Sequence, residues 1–251
     1  MKKYKLIICV MSCITIKKYI DQVQAINNTW GKLCKNDIKL LFLLGEDKNE
    51  EFTSEEYIYL QNVKNDYLSV SYKQFLGLKY VYENYKTDFL ICFGSDTYLN
   101  IPKLMLYINQ FNSNDNLYIG GHGDDRKIPE KLYYFHSGGP GFIITYNCLK
   151  ELYPLLYNLV DDWIQFCKIN NIEYLSTSCD VAINYYLQEK ITDLNIIKTN
   201  DFSIINCNHK GYPCHIGQVN FENIISCHNM TIEDFDDFTN ILVKNNYFIN
   251  N

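Results

Sequence analysis

The sequence predicts an α/β fold, a single domain built on a parallel, doubly wound sheet that is flanked by helices. Apolar runs of strand length alternate with stretches of helical periodicity, and this order is typical of strands joined by crossover helices. The run 38–47 is apolar almost throughout, as expected of an interior parallel strand. No segment rich in Pro, Gly or Ser divides the 251 residues, so we expect one core.

The first half of the chain is predicted to alternate regularly between strands and helices. Its strands are short apolar runs, and its longest helix is marked by Phe75, Leu78 and Val81 at helical spacing. The expected elements are a strand at 5–12, a helix at 19–32, a strand at 38–47, a polar helix around 53–61, a helix around 75–82, a strand at 88–93 and a helix at 101–111.

The second half is less regular and contains two glycine-rich turns. We expect a loop at 123–131, and we place Asp180 in the first turn of a helix, where a carboxylate is electrostatically favoured. The expected elements are strands at 116–122, on either side of the Gly138–Gly141 cluster and at 223–229, with helices after that cluster, from about Ser178 and from about 231.

Composition excludes several classes of function. A net charge of −6 argues against a nucleic-acid partner, because binding to phosphates needs clustered Lys and Arg. No segment approaches the roughly 20 apolar residues of a membrane span, and the apolar N-terminal run is short and lacks a signal-peptide cleavage site. Ten cysteines without a framework spacing fit a reducing compartment. We therefore expect a cytoplasmic protein without a transmembrane segment.

Four features follow predicted strands or glycine turns: Asp96, the Gly138–Gly141 turn, Asp180 and His228. Ligands bind in open α/β sheets at the carboxyl ends of the strands, so these features are candidates for one cleft. Each has a structural alternative. Asp96 is also typical of a helix cap or an Asx-turn, and Asp180 of a helix N-terminal charge. The glycines are typical of a tight turn, and His228 of a buried core histidine.

The chemistry of these side chains indicates a metal site with a separate base. A carboxylate oxygen and an imidazole that leave coordination positions open suit Mn²⁺ held partly by substrate phosphates. Such an ion stabilises the charge that builds on a phosphate leaving group. A second carboxylate, away from the ion, is suited to act as general base towards an incoming hydroxyl.

Seven segments, taken in order, carry a resemblance to a known family. They are AINNTWGK (25–32), FLLGED (42–47), DYLSVSYKQFLGLKYVYENY (66–85), FGSDTYLNIPKL (93–104), FHSGGPGFIIT (135–145), CDVAINYYL (179–187) and ISCHN (225–229). With these segments the chain resembles, over about 20–230, the inverting β-1,3-glycosyltransferases of the Fringe and core-1 galactosyltransferase type, glycosyltransferase family 31. The resemblance implies a GT-A fold, a Rossmann-like mixed sheet flanked by helices.

The resemblance also implies a role for each candidate residue. It makes Asp96 and His228 the protein ligands of Mn²⁺, Asp180 the general base, a UDP-sugar the donor and a glycan or glycoprotein hydroxyl the acceptor. The transferred group is a hexose or N-acetylhexosamine, and the product linkage is β-1,3. Residues 1–110 become the nucleotide-sugar-binding half and 111–251 the acceptor-binding half. The implied donor and cofactor contacts are Thr29, Asp47, Lys73, Ser95, Asp96, Gly138 and Gly139.

The chain departs from the family pattern at several positions. Gly94 and Ser95 stand where the family has its first two aspartates, and Cys179 replaces the acidic residue that commonly precedes the base. These changes leave open a second hypothesis, a catalytically degenerate member that binds a glycan or a nucleotide without turnover.

Two further hypotheses concern residues outside these motifs. The loop CNHKGYPCH offers Cys207, His209, Cys214 and His215 as zinc ligands, although their spacing matches no standard zinc motif; a Cys207–Cys214 disulfide is the alternative. Paired acids at Asp124-Asp125 and Asp161-Asp162 raise the possibility of a glycosidase, but adjacent side chains point in different directions and are typical of solvated charges.

Overall fold

The computed structural model describes residues 1–67, 69–207 and 212–245. Its strands are β1 (Lys2–Met11), β2 (Ile38–Leu44), β3 (Tyr57–Tyr59), β4 (Tyr85–Gly94), β5 (Thr97–Leu99), β6 (Leu117–Gly120), β7 (Asp124–Ile128), β8 (Lys131–Phe135), β9 (Phe142–Thr145), β10 (Asn195–Lys198), β11 (Phe202–Ile204) and β12 (Ser226–His228). Its α-helices are α1 (Lys17–Asn28), α2 (Val70–Asn84), α3 (Ile101–Ile108), α4 (Tyr146–Leu152), α5 (Leu159–Ile169), α6 (Cys179–Lys190) and α7 (Ile232–Lys244).

A seven-stranded sheet runs through the molecule in the order β10-β6-β9-β4-β1-β2-β3. Its centre is parallel: β1 pairs with β2 on one side and with β4 on the other. The strand β9 runs antiparallel to both β4 and β6. The sheet is therefore mixed, as the family resemblance implies, and the strands of the first half form the expected parallel core. The turn at Gly138–Gly141 connects β8 to β9.

Alternate residues of the central strands pack on opposite faces of the sheet. Ile7 and Cys9 of β1 belong to a core cluster with α2, α4, α5 and α6, whereas Leu6 and Ile8 belong to a second cluster with α1, α3 and α7. Side chains of a strand point alternately to its two faces, so a strand buried on both faces needs apolar residues throughout. This requirement explains the continuous apolar runs in the sequence, and both clusters belong to a single domain.

Two segments differ from the sequence prediction. The stretch 53–61, predicted to be helical, contains the strand β3, where Tyr57, Ile58 and Tyr59 pair in parallel with β2. Pairing at the sheet edge and burial of Ile58 outweigh the polar composition of this stretch. The predicted loop 123–131 forms the antiparallel hairpin β7–β8, in which Asp124 pairs with Phe135. Its exposed, charged residues hide the strand pattern.

A small second sheet, in the order β11-β12-β5, continues from the carboxyl end of β4. β5 begins three residues after β4 ends, and it pairs with β12 in antiparallel orientation, so that Thr97 lies opposite His228. The late strand is thereby brought beside the Gly94-Ser95-Asp96 segment. Among the helices in the described ranges, none is long and apolar enough to cross a membrane.

Candidate active site

A cavity of about 480 Å³ lies at the carboxyl ends of β1 and β4. Segments distant in the sequence meet here, because the parallel strands end at the same edge of the sheet and β12 joins them through β5. Both halves of the chain contribute to the lining. The assignment of the first half to the nucleotide sugar and of the second half to the acceptor stays a prediction. The sequence-predicted site residues that line the cavity are Lys73, Ser95, Asp96, Gly138, Gly139, Asp180 and His228.

Asp96 and His228 face each other across the junction of β5 and β12. The Oδ1 atom of Asp96 lies 3.4 Å from Nε2 of His228, and each side chain retains about a quarter of its exposure, at 28% and 26%. Burial raises the pKa of Asp96, but the hydrogen bond and charge of His228 outweigh it, and the pKa falls below its ordinary value. Asp96 is not the cap of α3, because that role belongs to Asn100, whose side chain accepts from the amide of Lys103.

This pair fits the two-ligand metal site that the family implies. Atoms that bind one ion from about 2.1 Å each are separated by about 3–3.4 Å, and the pair has this spacing. The donor set is an ionised carboxylate and an imidazole, which suits Mn²⁺. Across residues 1–67, 69–207 and 212–245, three or more His, Cys, Asp or Glu side chains are nowhere grouped to hold a metal. The remaining ligands of an ion at Asp96 and His228 would therefore be oxygens of substrate or water.

Asp180 lies in the first turn of α6 and next to Gly138, whereas His228 lies next to Gly139. One carboxylate oxygen accepts from the amide of Gly138 at 3.0 Å, and the other accepts from its neighbour Val181 at 2.9 Å. Burial raises the pKa of Asp180 above its ordinary value, although both amides favour the ionised form. The result is a fixed carboxylate that is more basic than one in water, as general-base catalysis requires.

The turn at Gly138–Gly141 lies next to both Asp180 and His228, which its residues Gly138 and Gly139 approach closely. A Cβ atom at Gly139 would lie 2.4 Å from Nδ1 of His228, so only glycine allows this approach. Gly141 has a φ of +90°, in the region that favours glycine. The buried hydroxyl of Thr97 donates to the carbonyl of Gly139 at 2.8 Å, and that of Ser226 donates to the carbonyl of Pro140 at 2.6 Å.

Lys73 supplies a buried cation at the cavity wall. Its Nζ donates to the carbonyl of Ser12 at 2.8 Å and to Oδ1 of Asn65 at 3.1 Å. No carboxylate of the described chain segments lies within ion-pair distance of it. Burial lowers the pKa of Lys73. Asn65 also accepts from the amide of Gly45 and donates to Asp47 at 3.0 Å, so it links the ends of β1, β2 and α2.

The two positions that depart from the family pattern differ in their surroundings. The hydroxyl of Ser95 is buried and donates to Oε1 of Gln22 at 2.8 Å, so it is directed into the protein. A Cβ atom at Gly94 would meet only Oδ1 of Asp96, at 3.1 Å, and would otherwise enter open space. Neither position offers a carboxylate to a ligand in the cavity.

Two predicted contacts do not line the cavity. The hydroxyl of Thr29 donates to the carbonyl of Ala25 at 2.6 Å at the end of α1, which is a local structural role. Asp47 reaches the cavity only through Asn65. Their proposed roles towards the nucleotide stay predictions.

The structure also adds four residues that the sequence does not single out. They are Gln22, Asn65, Thr97 and Ser226, and the side chain of each makes a hydrogen bond across the fold. Thr97 and Ser226 do lie within quoted segments, beside Asp96 and His228, and this proximity is the one sequence signal that could have found them.

The remaining sequence hypotheses fall outside the cavity. All ten cysteines are described and are free thiols, including Cys207 and Cys214. His209 of the proposed zinc loop lies outside the described residues. Asp124 is exposed and pairs with Arg126, while Asp161 accepts from the hydroxyl of Tyr72 on the surface. These acids are solvated charges rather than a pair that flanks a cleft.

Comparison with known proteins concerns the fold and the family of the chain. A search of curated protein sequences finds no match. The solved structure of a glycosyltransferase involved in the glycosylation of the major capsid of PBCV-1 is similar, with 15% identity and a TM-score of 0.50 over 93% of this chain and 98% of that chain. At this identity the likeness concerns the fold, and it agrees with the expected GT-A architecture.

The sequence comparison identifies the family. The model of the Fringe-like family matches residues 2–208, which include the first six of the seven quoted segments. Since this match covers most of the chain, it confirms the resemblance seen in the motifs, and the protein belongs to the Fringe-like family.

Proposed function

We propose that the protein is a glycosyltransferase that moves a hexose or N-acetylhexosamine from a UDP-sugar to a hydroxyl of a glycan or glycoprotein, with inversion and formation of a β-1,3 linkage. The observation that carries this proposal is one cavity that is lined both by Asp180 and by the Asp96–His228 pair, with the glycine turn next to Asp180 and His228. Family membership and the shared fold support glycosyl transfer.

Asp180 is the proposed base. Its carboxylate takes the proton of the acceptor hydroxyl while the acceptor oxygen forms a bond to the anomeric carbon and the bond from that carbon to the UDP oxygen breaks. The proton goes to Asp180, and the electron pair of the broken bond leaves with UDP. This single displacement inverts the anomeric centre. The amides of Gly138 and Val181 hold the carboxylate in place before the acceptor arrives, so no reorganisation is needed.

Asp96 and His228 would hold Mn²⁺, which when bound neutralises charge on the departing diphosphate. Lys73 is the proposed partner of an anionic group of the donor, because its charge is opposed by two neutral acceptors and by no bonded carboxylate. Gly138 and Gly139 leave backbone next to the reacting groups, and any side chain at Gly139 would displace His228.

A donor screen tests the proposal. UDP release is measured with Mn²⁺ across a panel of UDP-sugars and acceptor glycans, in the wild type and in Asp180→Asn, and loss of the base should reduce the rate by about 10²–10⁴-fold. Asp162→Asn is the matched control, since Asp162 is an exposed carboxylate in the first turn of α5, away from the cavity. Absence of UDP release from the wild type with every pair would overturn the proposal in favour of a binding protein.

A further inference from the structure

We propose that Thr97 and Ser226 are positioning residues that clamp the Gly138–Gly141 turn and thereby hold the base Asp180 in register with the Asp96–His228 pair. The inference rests on the proposed function for the roles of these three groups. Neither hydroxyl needs to touch substrate, since both act through the backbone of the turn.

The clamp consists of two hydrogen bonds from adjacent strands. Thr97 of β5 donates to the carbonyl of Gly139 at 2.8 Å, and Ser226 of β12 donates to the carbonyl of Pro140 at 2.6 Å. The two residues are 0% and 1% exposed, so water cannot replace either donor. Consecutive carbonyls of the turn are therefore fixed by side chains from paired strands.

The same two strands carry the metal-binding pair. Asp96 immediately precedes Thr97, and His228 lies two residues after Ser226, directly opposite Thr97 in the strand register. The small sheet thus positions the Asp96–His228 pair and the turn together. If the turn moved while the small sheet stayed in place, the distances from the turn to Asp96 and to His228 would change.

The turn also holds the carboxylate of the proposed base, Asp180. The amide of Gly138 donates to Oδ2 of Asp180 at 3.0 Å, one residue before the carbonyl that Thr97 binds. The Asp96–His228 pair is consequently connected to Asp180 by the pairing of β5 with β12, by the hydroxyls of Thr97 and Ser226 and by the amide of Gly138. A buried carbonyl without a hydrogen bond costs free energy. Loss of either hydroxyl should therefore shift the turn until the carbonyl of Gly139 or Pro140 accepts from another donor.

A shift of the turn should alter the base as well as its position. The other titratable groups that interact with Asp180 are Arg126, whose charge lowers its pKa, and Tyr118 and Cys179, whose own pKa values rise next to it. Weakening of the Gly138 amide bond removes one contribution that keeps the pKa of Asp180 down, so the pKa should rise.

The test compares Thr97→Val, which removes the hydroxyl at nearly constant shape, with Thr97→Ser, which keeps it; Ser226→Ala gives the second half of the clamp. The matched control is Thr145→Val, because Thr145 is a fully buried residue whose hydroxyl also donates to a backbone carbonyl, that of Asp115 at 2.8 Å, outside the cavity.

We expect Thr97→Val and Ser226→Ala to lower kcat by about 10-fold through misplacement of the base, with donor KM within about twofold of the wild type. The acid limb of the pH–rate profile should move to higher pH. Thr97→Ser should restore the wild-type profile, and Thr145→Val should lower thermal stability without moving it. Equal kinetic loss in Thr97→Ser and Thr97→Val, or a lowered melting temperature with unchanged kcat and pH profile in Thr97→Val, would overturn the clamp.

A direct titration separates this proposal from the proposed function. The carboxyl carbon of Asp180 is followed by ¹³C NMR against pH, with Asp180→Asn used to assign the signal, and this measurement needs no turnover. An Asp180 titration that moves to higher pH in Thr97→Val and not in Thr97→Ser supports the clamp even if the wild type transfers no sugar. An unchanged titration in Thr97→Val refutes it even if the enzyme is active.

Discussion

Gly139→Ala tests the geometry of the metal-binding pair most directly. The added methyl would lie 2.4 Å from Nδ1 of His228 and 2.6 Å from Cε1, whereas ordinary carbon contacts begin at about 3.5 Å. The ring must therefore move by about 1 Å, because the turn cannot retreat while Thr97 and Ser226 hold its carbonyls. The backbone itself tolerates alanine, since only Gly141 of this turn has a positive φ.

A displacement of this size should cost affinity and rate. We expect Mn²⁺ affinity to fall by about 10–100-fold, as when groups that orient a metal ligand are changed, and kcat by about 10²-fold. Mn²⁺ binding is measured by electron paramagnetic resonance of the free ion, and the rate by UDP release at saturating Mn²⁺.

Gly138→Ala provides the comparison within the same turn. Its added methyl would meet Cβ of Asp180 at 3.1 Å and Oδ2 at 3.4 Å, contacts that a shift of a few tenths of an ångström relieves. This variant should bind Mn²⁺ like the wild type and lose less activity. Wild-type Mn²⁺ affinity in Gly139→Ala, with a folded protein by circular dichroism, would show that His228 does not bind the ion and would refute the reasoning.

Three further predictions concern other parts of the cavity. Because burial raises the pKa of Asp180 and the base acts only when ionised, activity should fall at a higher pH than it would with a carboxyl in water. A pH–rate profile of kcat/KM checks this. An acid limb in the ordinary carboxyl range would contradict it. Ser95→Ala leaves Oε1 of Gln22 without its buried donor and should lower the free energy of unfolding by about 1–3 kcal/mol in urea titrations, while donor KM stays unchanged because the hydroxyl points away from the cavity. Lys73→Met should raise the donor KM by about 10-fold or more through loss of a buried charge, whereas Lys103→Met, at a half-buried lysine outside the cavity, should not; equal KM values for the two variants would exclude the proposed role of Lys73.

The sequence predicts well those elements in which burial fixes the pattern. β1, β2 and β4 are buried on both faces, so their apolar runs are unambiguous, and the carboxylate at the start of α6 marks that helix. The sequence does not predict β3 or the β7–β8 hairpin, because these segments are strands through their pairing and not through their composition. The antiparallel pairing of β9 with β4 and β6 is a tertiary contact that leaves no local pattern in the sequence.

The candidate site divides in the same way. Asp96, Asp180 and His228 carry reactive groups at the ends of elements, and order along the chain suffices to suggest that they meet. Asn65 and Gln22 have no such signal, since each is recognised only by the partner that it reaches across the fold. Hydrogen bonds to backbone carbonyls, such as those of the clamp, leave no periodicity in a sequence.

The neutral partners of Lys73 have a consequence for how the protein responds to ionic strength. Mobile ions screen exposed charges over about 10 Å at 0.1 M salt but scarcely reach a buried cation. The net charge of −6 instead lies largely on the surface, where it repels an anionic donor during approach. Added salt should therefore speed the association of the donor while leaving its dissociation nearly unchanged, so that affinity would rise, rather than fall, with moderate salt.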